Sequence, residues 1–372
     1  MTAAPVAQAT LLCSVGQLKA ALSYVGGAIL DKPTIPALEN ALFVSDEREL
    51  TVTGSDLAIT QTTIVYVECN EPFSVCVPHK TLLSLLNTIP EQPIRLIVSP
   101  ETFAITLRTE TGSFSIAGEN PINYPKPLVD EEEMRQIVIA EDDHADFSYK
   151  LGNTLFAVAP PGRSLEWGEG VCWRESEVVA SNGFMFSRMK QVPDAGKHGC
   201  LIPTRAATLI AKLLDNTRGE INVSLGSKRI VFSVDGKTIE SPLSEYRFPD
   251  YQMGFPINSP VTWETNRFAL INTLRRVLVL GNQTSYKVVL TGQVGAGITI
   301  TASDIDFNQQ GEDKVSATIN QNLSIGVSGK HLIECLQHLT GEMATISLWA
   351  ADRPLLISAD SENEVMLLGA LN

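Results

Sequence analysis

The chain has 372 residues, too many for one ordinary domain and suited to two or three. With 44% hydrophobic and 19% charged residues it can bury sizeable cores and is not disordered by composition. Twenty-eight Lys and Arg against 42 Asp and Glu leave a net charge of -14, which weighs against an all-over electrostatic nucleic-acid binder but leaves room for a locally basic lining.

Met1 to Thr10 has neither a basic n-region nor an apolar h-region and does not read as a secretory signal. A helix is predicted over Ser14 to Ile29. A strand rich in β-branched residues follows at Leu50-Thr51-Val52-Thr53-Gly54-Ser55, before an Asp turn signal. A second helix is predicted over Pro78 to Ile89, then strands over Ile94 to Ser99 and Phe103 to Arg108. The pattern then recurs. Helices are predicted at Asp143 to Ala159 and Pro203 to Asn216, with strands at Val178 to Ser181, Ile221 to Leu225 and Arg229 to Val234. It recurs again with helices at Thr265 to Leu280 and Ser328 to Leu339, and strands at Ile298 to Ser303, Ala344 to Trp349 and Leu355 to Ser358.

Several helical segments open on a Ser, Thr or Asp cap or an early Pro. The strand-ending Ser residues at 55, 181 and 303 lie 126 and 122 positions apart, and the paired helices start 64, 60 and 63 residues apart. These spacings imply three similar units, each a doubled half-unit of one helix and three or four strands. The class expected is α+β, with two helices per unit on antiparallel sheets. Asp130-Glu131-Glu132-Glu133, after Pro125 and Pro127, reads as a solvated linker, and a second boundary is expected near Asn258-Ser259-Pro260.

No apolar stretch approaches the roughly 18 residues of a membrane span. Six cysteines at 13, 69, 76, 172, 200 and 335, without a CxxC, read as reduced, mostly buried thiols of a cytoplasmic protein. The six helical segments carry nine Lys and Arg against four Asp and Glu, a net +5, which leaves -19 for the remainder. Helices lining a common surface would let that surface face phosphates while the acidic exterior faces away. Capping preferences and chance placement of a few Arg residues are the competing explanation.

Three constellations carry less. His331, Glu334, Cys335 and His338 can share a helix face and are zinc-ligand types, but no second cluster completes a site, and a helix with a buried Cys and exposed His is the better reading. Gly292-Gln293-Val294-Gly295-Ala296-Gly297 lies between strands and lacks the Lys-Ser/Thr of a phosphate loop, so a hairpin turn is expected. Glu141-Asp142-Asp143 reads as a helix cap and dipole partner rather than paired catalytic carboxylates. No GxSxG, HExxH or Cys/His pairing suggests a nucleophile.

Three strings carry a resemblance. Lys32-Pro33-Thr34-Ile35-Pro36-Ala37-Leu38 with Leu50 to Thr60 resembles the first domain of the bacterial DNA sliding clamps, the beta subunits of the replicative polymerase, DNA polymerase III. Arg247-Phe248-Pro249-Asp250-Tyr251 resembles a signature at the end of that family's second domain, and Ala180-Ser181-Asn182-Gly183 its Ala-Thr-Asp-Gly turn. The resemblance covers the chain from about Leu11 to the C-terminus.

It implies three clamp domains, N-terminal (1–126), middle (127–259) and C-terminal (260–372), closing head-to-tail as a homodimeric ring. It implies a non-catalytic processivity factor in the cytoplasm, without cofactor or metal. Its partners would be duplex DNA, bound without sequence preference, and polymerase and clamp-loader subunits carrying short peptide motifs. A clamp-like second copy, serving as an interaction scaffold or an inhibitor-insensitive spare, is the alternative. Lys32 matches a DNA-facing position, and Arg163 lies in a loop where relatives present DNA-contacting groups. Arg205, Lys212, Arg267, Arg275 and Arg276 are added from helix position and charge, with a solvated role as the alternative for each. Phe114 and Ile116, with Val279 and Leu280, match apolar pairs of the ring seam, with ordinary core positions as the alternative.

The family's partner-peptide cleft maps to Gly168, Ser181, Gly183, Phe184, Met185, Phe186, Pro249, Met253, Gly254, Leu367, Leu368 and Leu371. Here the chain departs from the pattern. Phe184-Met185-Phe186 replaces His-Arg-Leu, Met253 replaces an Arg, and a near-terminal Met-Pro is absent. The expected cleft is greasier and less basic, suited to adaptable peptide binding.

Overall fold

The computed structural model describes residues 8–125, 133–162, 165–255, 259–359 and 363–371. Asp130 to Glu132 of the expected linker, Asn258 of the expected boundary and Arg163 lie outside the described residues, as does the side chain of Met253.

Six times the chain lays down one strand, one helix and three strands. The first set is β1 (Ala9–Ser14), α1 (Val15–Val25), β2 (Asn40–Ser45), β3 (Glu49–Ser55) and β4 (Thr60–Tyr66). A two-residue β5 (Glu68–Cys69) precedes the second, β6 (Phe73–Pro78), α2 (His79–Thr88), β7 (Pro93–Val98), β8 (Ile105–Arg108) and β9 (Ser113–Ile116). The third is β10 (Arg135–Ile139), α3 (His144–Thr154), β11 (Gly170–Arg174), β12 (Glu177–Ser181) and β13 (Met185–Lys190). The fourth is β14 (Cys200–Pro203), α4 (Thr204–Asp215), β15 (Ile221–Leu225), β16 (Arg229–Val234) and β17 (Lys237–Pro242). The fifth is β18 (Val261–Asn266), α5 (Arg267–Leu278), β19 (Lys287–Gln293), β20 (Gly297–Asp304) and β21 (Gln309–Val315). After β22 (Ala317–Ile319) comes the sixth, β23 (Leu323–Ser328), α6 (Gly329–Gln337), β24 (Met343–Leu348), β25 (Leu355–Ser358) and β26 (Glu364–Leu368).

All six predicted helices are present, shortened at the ends where caps stop them. Ser14 forms a full capping box with Gln17, and Ser328 and Asn266 accept N-terminal amide hydrogens. Asp143 precedes α3 but makes no side-chain cap hydrogen bond. The expected capping role fails because a 3-10 turn over Glu141–Asp143 holds its backbone in the helical region. The glycine-rich stretch is the hairpin between β19 and β20, with Gly295 and Gly297 at positive φ.

Strands pair by exchange within each pair of sets. The strand that leads into one helix joins the three strands that follow its sister helix, so β1 pairs with β7 and β6 with β2. The same exchange joins β10 to β15, β14 to β11, β18 to β24 and β23 to β19.

The chain divides into two compact units. One comprises residues 1–141 and 216–243, with sheets ordered β5-β1-β7-β8-β9 and β10-β15-β16-β17-β4-β3-β2-β6. Its core sets Leu18 and Leu22 of α1 and Leu82 and Leu86 of α2 against Phe43, Val52, Leu96 and Leu107 of the strands. The other comprises residues 142–215 and 244–372, with sheets ordered β14-β11-β12-β13-β26-β25-β24-β18-β22 and β21-β20-β19-β23. Phe147 of α3 packs its ring 5.1 Å from fully buried Trp173, and Trp263 is likewise fully buried.

The last strand of each set carries the most organising information. β4 pairs antiparallel with β17, and β13 with β26, each pairing fusing two sets into one continuous sheet. The remaining two last strands, β9 and β21, are sheet ends among the described residues.

Candidate DNA-facing, seam and peptide-binding sites

The cleft residues all belong to the second unit. The turn from Ser181 to Phe186 is built by side-chain hydrogen bonds. Asn182 Oδ1 accepts from the amides of Phe184 and Met185 at 3.0 and 2.9 Å, and Ser181 Oγ donates to the Met185 carbonyl at 2.8 Å. Gly183 sits at φ +85°, which explains Gly after Asn at this position. Gly168 lies against this turn so closely that a Cβ there would meet the Ser181 carbonyl at 2.8 Å. Across the turn, Met185 and Phe186 pair with Leu368 and Leu367, and the Gly369 amide donates to the Phe184 carbonyl. Leu371 follows and donates its amide to the Gly326 carbonyl, bridging to β23.

Strand alternation divides these side chains. Met185 and Leu368 turn into the buried core, whereas Phe186 turns to the other face of the sheet with Cys172, Val179 and Leu201. There the segment after β17 covers it. The Phe186 ring lies 5.1 Å from Tyr251, 5.3 Å from Phe255 and 6.3 Å from Phe248, and Trp167 meets Phe248 edge-on at 5.5 Å. Tyr251 donates its hydroxyl to Glu177, and burial together with that carboxylate pushes its pKa up. The Arg188 guanidinium lies 3.8 Å over the Phe255 ring and Arg174 lies 5.2 Å over Tyr251. Phe184 stands half-exposed with its ring 5.9 Å from His331 of α6. Pro249 and Gly254 are exposed on the covering segment.

Trp167, Phe248, Tyr251 and Phe255 were missing from the nominated set, although Phe248 and Tyr251 stand within the recognised string. Their signal is aromatic residue type, in the segment after β17 for Phe248, Tyr251 and Phe255 and in the turn before β11 for Trp167, which carries no address until the sheet is known.

At the two end strands, Phe114 is 37% exposed while Ile116, two residues on and on the same face, is buried at 7%. Val279 and Leu280 follow α5 and are exposed at 73% and 38%, and Ile305 and Phe307, preceding β21, at 91% and 74%.

The basic candidates separate by environment. Lys32, Lys212 and Arg275 are exposed, and Arg205 is half-buried, with burial lowering its pKa. Arg267 caps α6, its guanidinium donating to the carbonyls of Leu336 and Gly341 and stacking on Phe268. Arg276 is ion-paired with Asp313. Lys150, counted in the basic helical total, is instead buried, with Nζ donating to Asp146 and to the Gln191 carbonyl. Lys80, also counted there, pairs with Asp31. The positive surplus on exposed helix faces is therefore smaller than the sequence total.

The four residues set aside as a zinc-type set do not converge; the Cys is buried as expected, but the two His are half-buried rather than exposed. Cys335 is fully buried, and His338 stacks on Phe156 at 4.3 Å with Nδ1 bonded to Asn153 Oδ1 at 2.8 Å, while His331 faces Phe184. No group of three or more potential metal ligands occurs among the described residues.

Among the described residues a strand–helix–three-strand set recurs six times, the first and fourth sets and the third and sixth fused through their last strands and the other two last strands left open, and this defines a clamp-type repeat protein. Residues 10–128 match the N-terminal domain of the DNA polymerase III beta subunit, and residues 254–368 match its C-terminal domain. The chain belongs to this family as a divergent member. It is 23% identical over 364 residues to the beta sliding clamp of Pseudomonas aeruginosa, covering 93% of this chain and 95% of that protein. It is 22% identical to the beta sliding clamp of Halalkalibacterium halodurans, with the same two coverages. The crystal structure of the DNA polymerase III subunit beta from Pseudomonas aeruginosa superposes with a TM-score of 0.89 at 21% identity, over 98% of this chain and all of the other. That likeness establishes the fold.

Proposed function

We propose that this protein is a DNA sliding clamp: a non-catalytic processivity factor that closes around duplex DNA and tethers a polymerase to it. The observation that carries the reading is the pair of open last strands. Four of the six last strands pair antiparallel, β4 with β17 and β13 with β26, and of these last strands β9 and β21 alone end their sheets among the described residues. Repeating the same pairing between β9 of one chain and β21 of a second continues the pattern and closes a two-chain ring head-to-tail. It also removes two exposed sheet edges and covers Phe114, Val279 and Leu280. A three-domain division at 126 and 259 is supported by the same pattern, in which each domain would be one strand-exchanging pair of sets.

Lys32, Arg163, Arg205, Lys212 and Arg275 supply diffuse attraction to phosphates without base readout, which is compatible with sliding. The turn at Ser181–Phe186, with Leu367 and Leu371, is the landing site for a short peptide of polymerase and clamp-loader subunits. A cytoplasmic location is in keeping with the family membership. Among the described residues no helix is long and apolar enough to cross a membrane.

Small-angle scattering at micromolar concentration tests the assembly. A hollow particle of about 81 kDa, twice the chain mass of 40.4 kDa, is expected. A compact 40 kDa particle refutes ring closure. Retention on circular DNA tests the function, and Arg275→Glu is expected to shorten it with the particle mass unchanged. The altered cleft, with Phe184-Met185-Phe186, favours the scaffold reading as runner-up, and a closed ring that never retains DNA would move that reading ahead.

A further inference from the structure

The ion pair at the end of α5 gives Arg276 a task different from phosphate attraction. Arg276 lies in the last turn of α5, and its Nε and Nη2 converge on one carboxylate oxygen of Asp313 at 2.7 and 2.6 Å. Nη2 also donates to Thr273 Oγ1 at 3.1 Å, one turn back on the same helix, which aims the guanidinium. The other Asp313 oxygen accepts the Lys314 amide at 2.8 Å. Both oxygens are therefore occupied, and the side chain is held between helix and strand. Asp313 lies in β21, an end strand with no further strand beyond it among the described residues.

Two residues before it, Gly311 brings the strand against the helix. A Cβ there would stand 3.4 Å from both the Val277 carbonyl and the Leu280 side chain. Helix and strand are thus joined at two points, a glycine contact and an ion pair, and Val279 and Leu280, next along the chain, are 73% and 38% exposed.

We propose that the Arg276–Asp313 pair is a brace that holds β21 and the last turn of α5 in the arrangement a second chain docks on, so that Arg276 is a positioning residue for ring closure and not a DNA contact. The inference rests on the ring reading and adds a device internal to one chain. An open strand has hydrogen-bonding partners on one side only and frays more readily than a paired one. Docking a frayed strand must first order it, which weakens association by the fraction of chains already in the competent arrangement. The brace raises that fraction before the partner arrives. Charge alone does not suffice: two guanidinium N–H groups and a Thr hydroxyl set the geometry, which a lysine cannot reproduce.

The test measures the dimer dissociation constant of the full chain by sedimentation, and the amide exchange of residues 309–315 in monomer diluted below that constant. Loss of an exposed pair of good geometry changes an equilibrium by about two- to five-fold, and a two-chain ring has two such seams, so Arg276→Ala is expected to raise the dissociation constant by about 4- to 25-fold. Amide exchange of β21 in the monomer rises with it. Arg276→Lys, which keeps the charge without the paired N–H groups, recovers only part of the loss, and the swapped pair Arg276→Asp with Asp313→Arg, which keeps opposite charges without the Thr273 contact, likewise recovers part of it beyond either single variant. Arg353→Ala, an exposed arginine in the turn before β25, serves as the charge control and leaves both unchanged.

A dissociation constant within two-fold of wild type for Arg276→Ala, or a swapped pair no better than the single variants, overturns the brace while leaving the ring standing. A wild-type chain that stays monomeric at all concentrations overturns the ring reading and removes the brace's purpose. Undiminished DNA retention by closed rings of Arg276→Ala supports the assignment, and a retention loss without any seam effect returns Arg276 to the DNA-facing set.

Discussion

Replacing Phe186 by Ala tests whether the aromatic cluster, rather than the backbone alone, holds the covering segment onto the sheet. Phe186 is 8% exposed and its ring meets three others between 5.1 and 6.3 Å, so the substitution removes a buried ring and leaves Phe248, Tyr251 and Phe255 without their common neighbour. Truncating a buried Phe costs about 3–5 kcal/mol. The low end applies here, because the covering segment can settle into part of the space, and the expected loss is about 3 kcal/mol. Phe186→Leu keeps most of the volume and is expected to cost about 1 kcal/mol.

Urea unfolding followed through tryptophan fluorescence measures the loss, with Trp167 reporting locally through its contact with Phe248. Hydrogen exchange provides the regional readout. The amides of Gly254 and Phe255, bonded to the carbonyls of Tyr251 and Gln252, are expected to exchange faster in the Ala variant. A loss below about 1 kcal/mol with unchanged exchange there would refute the cluster as the anchor of the segment.

Two further outcomes follow from packing and burial. Gly292→Ala would drive a methyl group into the indole of fully buried Trp263 and is expected to cost about 2–3 kcal/mol, whereas Gly152→Ala in α3, where nothing stands within 4 Å, is expected to be neutral or stabilising; thermal denaturation of both variants checks the contrast. Burial pushes the thiols of Cys13, Cys76 and Cys172 up to about 12, and those of Cys200 and Cys335 upward as well. The thiolate is the reactive form, so these five should resist alkylation at pH 8 in the folded chain and react on unfolding; rapid native modification of any of them would contradict the burial.

The six helices were legible because their apolar residues recur at helical spacing and because caps such as Ser14 and Ser328 are local. The fifth helix begins two residues later than its predicted start: Thr265 belongs to β18, and Asn266 is the cap. The seam candidates Phe114, Val279 and Leu280 were found by resemblance, and their exposure beside end strands is consistent with that origin. The basic candidates were the least legible. Nothing near Arg267 in the chain announces that its guanidinium caps α6 through the Leu336 carbonyl, 69 residues away. Lys150 has its carboxylate partner one turn back on its own helix, yet only the fold turns it inward, to donate to the carbonyl of Gln191.

The sequence by itself determines the periodic plan of this protein: how many sets there are, where each helix and many of the strands fall to within a few residues, and which turns demand Gly, Asn or Ser. Those features depend on residues within a few positions of one another. The tertiary structure alone decides which strand meets which. It places β1 beside β7 and β4 beside β17, makes end strands of β9 and β21, and shows which arginines are already committed. Strand pairing and ion pairing join groups from tens to more than a hundred residues apart, and a composition or a spacing does not encode which of several chemically similar partners comes within reach.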